Sequence, residues 1–289
     1  MRLISLITLM LIFQYGNSAY HQSGSEEEQV AAGRVIMEKV FNRFHINYEM
    51  SRLHKVGYYK ESVSDTNSTY YLAEGIVDIY IPSNLNRVSN ASISPIRTRK
   101  KAFHEVDKTK LLLGNASDMA RSSIWRPNSF LDEKHRGYYS FSYAGDTEIN
   151  GFDVSVIEFR PVKSGGQASG KIYVDKTYLA IVRIEYTPLA ENSKIWKSIS
   201  WTEDFDFNHG AYELTSVEFN GISLDDFHYS ALLVMNQIET VSQIPSQDFI
   251  YENTPLFETA TEESMQDFWE GYEELRLKIA KQNVLVAAE

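Results

Sequence analysis

Gly151-Phe-Asp-Val-Ser-Val-Ile-Glu-Phe-Arg-Pro161, Gly170-Lys-Ile-Tyr-Val-Asp-Lys176 and Tyr178-Leu-Ala-Ile-Val-Arg-Ile-Glu-Tyr186 are three runs of alternating apolar and polar residues, and Ser164-Gly-Gly-Gln167 turns the first into the second. A period of two puts one set of side chains on a buried face and the other in water. This is the pattern of an antiparallel meander, because a parallel sheet covered on both faces reads as unbroken apolar runs. Working outward, strands are predicted at 55–64 and 69–80, joined as a hairpin through Asp65-Thr-Asn-Ser68. Others follow at 138–143, 152–160, 171–175, 179–186, 195–207, 212–220 and 226–240. Strands at such short, regular intervals belong to one curved sheet or barrel.

Helical spacing frames the strands. Residues 26–52 place Val30, Met37, Val40, Phe41 and Phe44 on one stripe with Gly33, and Glu26, Glu27 and Glu28 stand in the first turn, where carboxylates favour the positive end of the helix dipole. Residues 262–282, capped by Thr259 or Thr261, place Met265, Phe268, Trp269, Tyr272 and Leu275 along one side. Between the two halves, 108–129 reads as a cover for one end of the sheet: Leu111-Leu-Leu begins a short helix, while 114–118 and Arg126-Pro-Asn-Ser129 are loop. No repeat or composition break divides residues 26–285, so the prediction is one domain of class α+β, a large curved antiparallel sheet with an amphipathic helix at each terminus.

Residues 1–19 have Arg2, the apolar run Leu3-Ile-Ser-Leu-Ile-Thr-Leu-Met-Leu-Ile-Phe13, and small residues at Gly16, Ser18 and Ala19. The run is short for a bilayer span, and a peptidase site follows it. A signal peptide cut after Ala19 is therefore expected, with a flexible mature N-terminus at 20–25, periplasmic or secreted localisation, and no transmembrane segment after cleavage. The chain has no cysteine, which removes disulfides, thiolate nucleophiles and a lipid-bearing cysteine together. A net charge of −11 argues against nucleic acid as a partner. The one dense basic cluster, Arg97-Thr-Arg-Lys-Lys101, reads as a charged strand end or edge.

The order Ala31-Ala-Gly-Arg-Val-Ile-Met-Glu-Lys-Val40, Asn47-Tyr48, Gly57-Tyr-Tyr-Lys-Glu61, Tyr71-Leu-Ala-Glu-Gly-Ile-Val-Asp-Ile-Tyr80 and Asp267-Phe-Trp-Glu-Gly-Tyr272 resembles the C-terminal region of the Bacteroidota envelope proteins called carboxypeptidase-like regulatory domain-containing proteins. In that family a small β-sandwich usually precedes this region, whereas here the expected leader runs almost directly into the first helix; the family name implies no peptidase. The meander also resembles that of the LolA/LolB superfamily. This likeness implies a LolA-like half-barrel that can enclose acyl chains.

Catalytic patterns are absent. None of the seven histidines begins a His-x-x-Glu pair or a His-Glu-x-x-His motif, so no zinc site is expected. Asp204-Phe-Asp-Phe-Asn-His-Gly210 starts like a calcium loop, but His209 takes the glycine position and Thr215 that of the bidentate glutamate. It reads better as a strand with Phe205 and Phe207 buried. Ser164–Gly170 lacks the spacing of a nucleophile elbow. Glu158, Asp175 and Glu185 are acids of a solvated face, with nothing marking a catalytic pair.

No catalytic residue, metal ligand or cofactor is therefore assigned. Aromatics make up 13% of the chain and mostly fill core. A strongly curved sheet nevertheless has room on its concave side, where Phe41, Phe44, Tyr139, Phe141, Phe268, Trp269 and Tyr272 are the expected lining. The sequence reads as a non-enzymatic envelope protein holding a lipid, lipoprotein or other apolar ligand. The alternative is a module docking on an outer-membrane protein assembly without a ligand cavity; an envelope hydrolase is the remote one.

Overall fold

The structure is a computed structural model, and it describes residues 25–84, 91–104, 116–189, 194–208, 210–244, 256–260 and 268–286. The expected signal peptide at 1–19, the Leu111 run and Met265 lie outside the described residues. Helix α1 (Glu26–Asn47) opens the described chain and is capped in two directions: Ser25 Oγ accepts from the Glu28 amide, and the Glu28 carboxylate accepts from the Ser25 amide. It ends five residues before the predicted 52, because Tyr48 turns extended and sends its ring into the core. There the Tyr48 hydroxyl donates to the Ile181 carbonyl (3.1 Å) and accepts from the Ile181 amide (2.6 Å).

Strands β1 (Leu53–Ser64), β2 (Thr69–Ile81) and β3 (Ser92–Ala102) follow, then a one-turn helix α2 (Ala116–Met119). A meander of β4 (Tyr139–Ile149), β5 (Phe152–Pro161), β6 (Ala168–Asp175), β7 (Ala180–Pro188), β8 (Trp196–Asn208), β9 (Ala211–Ser223) and β10 (His228–Thr240) completes the sheet. The β4–β5 turn is Asn150-Gly151, both at positive φ (51° and 82°), which matches the right-handed twist of a two-residue hairpin. The described chain closes with α3 (Leu256–Thr259) and α4 (Glu273–Val286). The expected long C-terminal helix is thus shorter at its start: Gly271 at φ +79° breaks the backbone just before Glu273.

The ten strands form one antiparallel sheet in the order β3-β2-β1-β10-β9-β8-β7-β6-β5-β4, as the period-two pattern requires. Sequential neighbours pair throughout except β3 and β4, which lie at opposite edges. The connection between them must therefore cross the whole sheet. Its described part, 116–138, touches both sides: Ser117 Oγ donates to the Ala91 carbonyl beside β3, and the Phe130 ring packs on Tyr139 in β4. In a flat sheet those edges would stand about 43 Å apart, at ~4.8 Å per strand. Thirteen turn-rich residues do not span that distance, so the sheet is strongly curved, and six of its nine pairings contain a bulge that adds twist.

The two faces are covered differently. On the concave face Met37, Val40, Phe44 and Tyr48 of α1 join Met119, Ile124, Phe130 and Leu131 of the crossing segment and the inward residues of the strands in one core. Gly33 is the close-approach point, where an added Cβ would stand 2.5 Å from the Phe141 carbonyl oxygen. On the convex face Leu275 and Ile279 of α4, with Phe268, cover Tyr58, Ile76 and Val234 of β1, β2 and β10. The Arg97–Lys101 cluster lies in edge strand β3, as expected; Arg99 pairs with Glu74 (2.5 Å) and its guanidinium sits 4.4 Å from the centre of the Phe268 ring. The predicted burial of Phe207 is corrected: Phe205 is buried, but Phe207 is 46% exposed and stacks on Tyr178 at a hairpin tip.

Candidate functional site

The concave side is where curvature leaves room for a ligand, and most of that room is taken by the protein itself. Phe130 stacks on Phe159 with ring centroids 4.1 Å apart and meets Tyr139 and Tyr186 edge-on. Trp125 packs against Phe44 and Tyr48. Burying an aromatic of this size contributes roughly 1.5–3 kcal/mol, so these rings hold the crossing segment down.

Polar anchors add direction. The buried Glu203 carboxylate on β8 accepts from Ser122 Oγ (3.2 Å), the Ser123 amide (2.9 Å) and Ser123 Oγ (2.5 Å). Burial raises its pKa, against the opposing pull of Arg126 and the two serines. Arg121 reaches from the segment to the Pro82 carbonyl (2.9 Å).

Deeper in, the concave wall is polar as well as apolar. Lys55 is buried and donates to the Leu214 carbonyl (2.8 Å), with Glu213 at 3.8 Å; burial lowers its pKa to about 8. Tyr59 donates to the buried Glu61 (2.9 Å), and Tyr212 to Asp175 (2.8 Å). A pure hydrocarbon cavity would leave such groups without partners, at a cost of several kcal/mol each for a charge. Here they are bonded to one another and to backbone.

What remains open is a groove of about 450 Å³ between the C-terminal half of α1 and the crossing segment. Phe41, Phe44, Ile124, Trp125, Pro127 and Leu131 supply apolar wall; Asn42, His45, Asn84, Arg126, Asp132, Glu133 and Arg136 supply the polar remainder. Arg136 lies 4.4 Å from the centroid of the Phe41 ring, a cation over an aromatic face. Asp132 is engaged with the Asn128 amide (3.0 Å), and Arg126 with the Asp118 and Arg121 carbonyls (2.7 and 2.8 Å). A volume of this size falls within the ~300–1,000 Å³ of small-molecule sites.

The seven expected lining residues divide accordingly. Phe41 and Phe44 line the groove. Tyr139 and Phe141 lie on the same face but inside the closed core, where the Tyr139 hydroxyl accepts from the Gln167 amide (2.9 Å) and Phe141 meets Phe41. Phe268, Trp269 and Tyr272 are on the opposite face: Trp269 packs on Tyr58, and the guanidinium of Arg97 lies 5.5 Å from the Tyr272 ring centre. One stripe on a helix shows that it packs, not which side of a sheet it packs on. The signal for a second covered face was in β2, where Ile76 and Val77 are consecutive and both buried. Trp125, Arg126 and Arg136 also line the groove and carry no periodic signal, because their segment is turn-rich; the apolar pairs Ile124-Trp125 and Phe130-Leu131 within it are the sequence feature that marks burial.

Among the described residues no group of three or more His, Asp or Glu side chains is arranged to hold a metal ion. No described helix is long and apolar enough to cross a membrane.

No family model matches the chain, and no curated protein matches it. Solved structures similar to it include a domain described as an outer membrane lipoprotein-sorting protein from Vibrio parahaemolyticus (10% identity, TM-score 0.38, covering 75% of this chain and 95% of that one). A DUF1329 family protein from Desulfovibrio piger is 10% identical with a TM-score of 0.39, covering 75% and 95%. A LolA superfamily protein from Nitrosomonas europaea is 12% identical with a TM-score of 0.35, covering 76% and 97%. At TM-scores this low the likeness carries no functional argument.

Proposed function

We propose that this chain is a non-catalytic, exported envelope protein that binds a small amphipathic ligand in the groove between α1 and the crossing segment. The observation that carries the reading is the pairing of an aromatic wall, Phe41, Phe44 and Trp125, with the polar rim of His45, Glu133 and Arg136 around one opening. Apolar burial on the wall supplies affinity, and the few rim groups orient the polar end. Export rests on the leader-like residues 1–19. The expectation of an acyl-lined interior is narrowed to this groove, because the chain's own rings and bonded charges occupy the rest of the concave side. The proposed kinship with the carboxypeptidase-like family rests on the sequence motifs alone.

The reading is tested by titrating anilinonaphthalene sulfonate, an amphipathic anion with aromatic rings, into the purified chain. One saturable site is expected, weakened at least tenfold by Phe41→Ser and by Trp125→Ala. Binding that both variants leave unchanged rules the groove out.

A further inference from the structure

Resting on the groove reading above, we infer that the ligand carries two opposite charges at its polar end, an acid group held by Arg136 and an ammonium held by Glu133. Among the described residues, four charged side chains line the groove: Arg126, Asp132, Glu133 and Arg136. Two of them are tied to the protein. Arg126 Nη2 donates to the Asp118 and Arg121 carbonyls, and the buried Glu203 nearby balances its charge. The Asp132 carboxylate accepts from the Asn128 (3.0 Å) and Lys134 (3.3 Å) amides, with His135 Nδ1 at 3.4 Å. The side chains of Glu133 and Arg136 have no hydrogen bond or ion pair with any described residue, and they do not pair with each other although they stand three positions apart. One free charge of each sign is left at a single opening.

Free opposite charges select against every simpler ligand. An anion alone would be drawn to Arg136 but set beside Glu133, a cation alone would have the reverse fault, and an uncharged ligand would strip water from both without return. A polar end with both signs satisfies the two together. Arg136 is suited to the acid: Phe41 takes one flat face of its guanidinium, 4.4 Å from the ring centre, so the N–H donors, which lie in the guanidinium plane, stay available for a carboxylate or phosphate. Asn42 and His45, on the α1 wall, add donors and acceptors. The aromatic wall then takes an apolar tail or side chain. An aminoalkyl phosphate headgroup on a short acyl chain and a hydrophobic dipeptide share this chemistry.

The test displaces anilinonaphthalene sulfonate from the full-length chain with two series of compounds. The dipeptide leucyl-phenylalanine is compared with its N-acetyl form, which lacks the ammonium, and with its amide, which lacks the carboxylate. Hexanoyl-lysophosphatidylethanolamine is compared with hexanoyl-lysophosphatidylglycerol, which lacks the ammonium. Because the rim is open to water, each matched charge is worth roughly two- to fivefold in affinity. In at least one series the doubly charged compound is expected to displace the dye at a concentration lower by that factor than its singly charged analogues. Glu133→Gln should abolish the advantage over analogues without the ammonium, and Arg136→Gln the advantage over the amide. The series that shows the effect tells a lipid headgroup from a peptide. Equal displacement by all members of both series, or an advantage that survives Glu133→Gln, overturns the inference while the dye site keeps the groove standing. A chain that binds no dye removes the groove reading, and this inference with it.

Discussion

Lys55 shows how much a single residue commits the concave face to polarity. Its ammonium is 1% exposed and its pKa falls to about 8 through burial, so the folded chain holds this proton less tightly than the unfolded chain, whose lysine titrates near 10.5. Between those values the unfolded state binds more protons, and stability therefore rises with pH. The full effect is at most about 3 kcal/mol at ~1.36 kcal/mol per unit. Urea midpoints measured from pH 7 to 9, below the unfolded tyrosine value of 10.0 above which the buried tyrosines oppose the trend, should climb in the parent chain and climb less in Lys55→Met/Glu213→Gln, where Lys278, also lowered by burial, still contributes. The double change avoids leaving Glu213 alone in the core. None of this was legible in the sequence, where Lys55 is one polar position of an alternating strand; the bulge at Lys55/Val56 shifts the register there.

At the scale of elements, the contact of α1 with β4 turns on Gly33. An alanine would gain up to ~1 kcal/mol of helix propensity, but its Cβ would meet backbone atoms at 2.5 and 2.7 Å, and overpacking of that kind costs roughly 1–3 kcal/mol. Backbone cannot swing aside as a side chain can, so the clash wins: Gly33→Ala should lower the urea midpoint, and Gly33→Leu should lower it further.

The crossing segment depends in the same way on Glu203. Glu203→Ala removes acceptors for three donors and should destabilise the fold by about 2–4 kcal/mol, with faster amide exchange concentrated at 116–138. Strands were the most legible elements, because a period of two marks β5 and β7 and turn residues bound the rest, although β9 buries residues 212–217 without alternation. Helix ends were not, since Tyr48 ends α1 through a tertiary bond and α4 begins only after Gly271 at positive φ, neither of which apolar spacing encodes.

Across the whole molecule, an edge-to-edge strand order forces one connection over the concave face, and that connection brings the rings that fill it. The class and curvature of the sheet followed from alternation and turns. The division of aromatics between two faces did not, because it depends on how a crossing segment and a terminal helix share a sheet that is greasy on both sides around β1, β2 and β10. Phe130→Ala, which empties the best-stacked position, should cost about 3–5 kcal/mol and enlarge the concave space, seen as added dye sites in the titration. Hydrogen exchange at the amides of Ser123, Ile124, Trp125 and Arg126 bears most directly on a concave face closed by the chain itself. Protection matching that of the central strands is predicted, with opening only when the sheet unfolds; exchange as fast as in an exposed loop would contradict it.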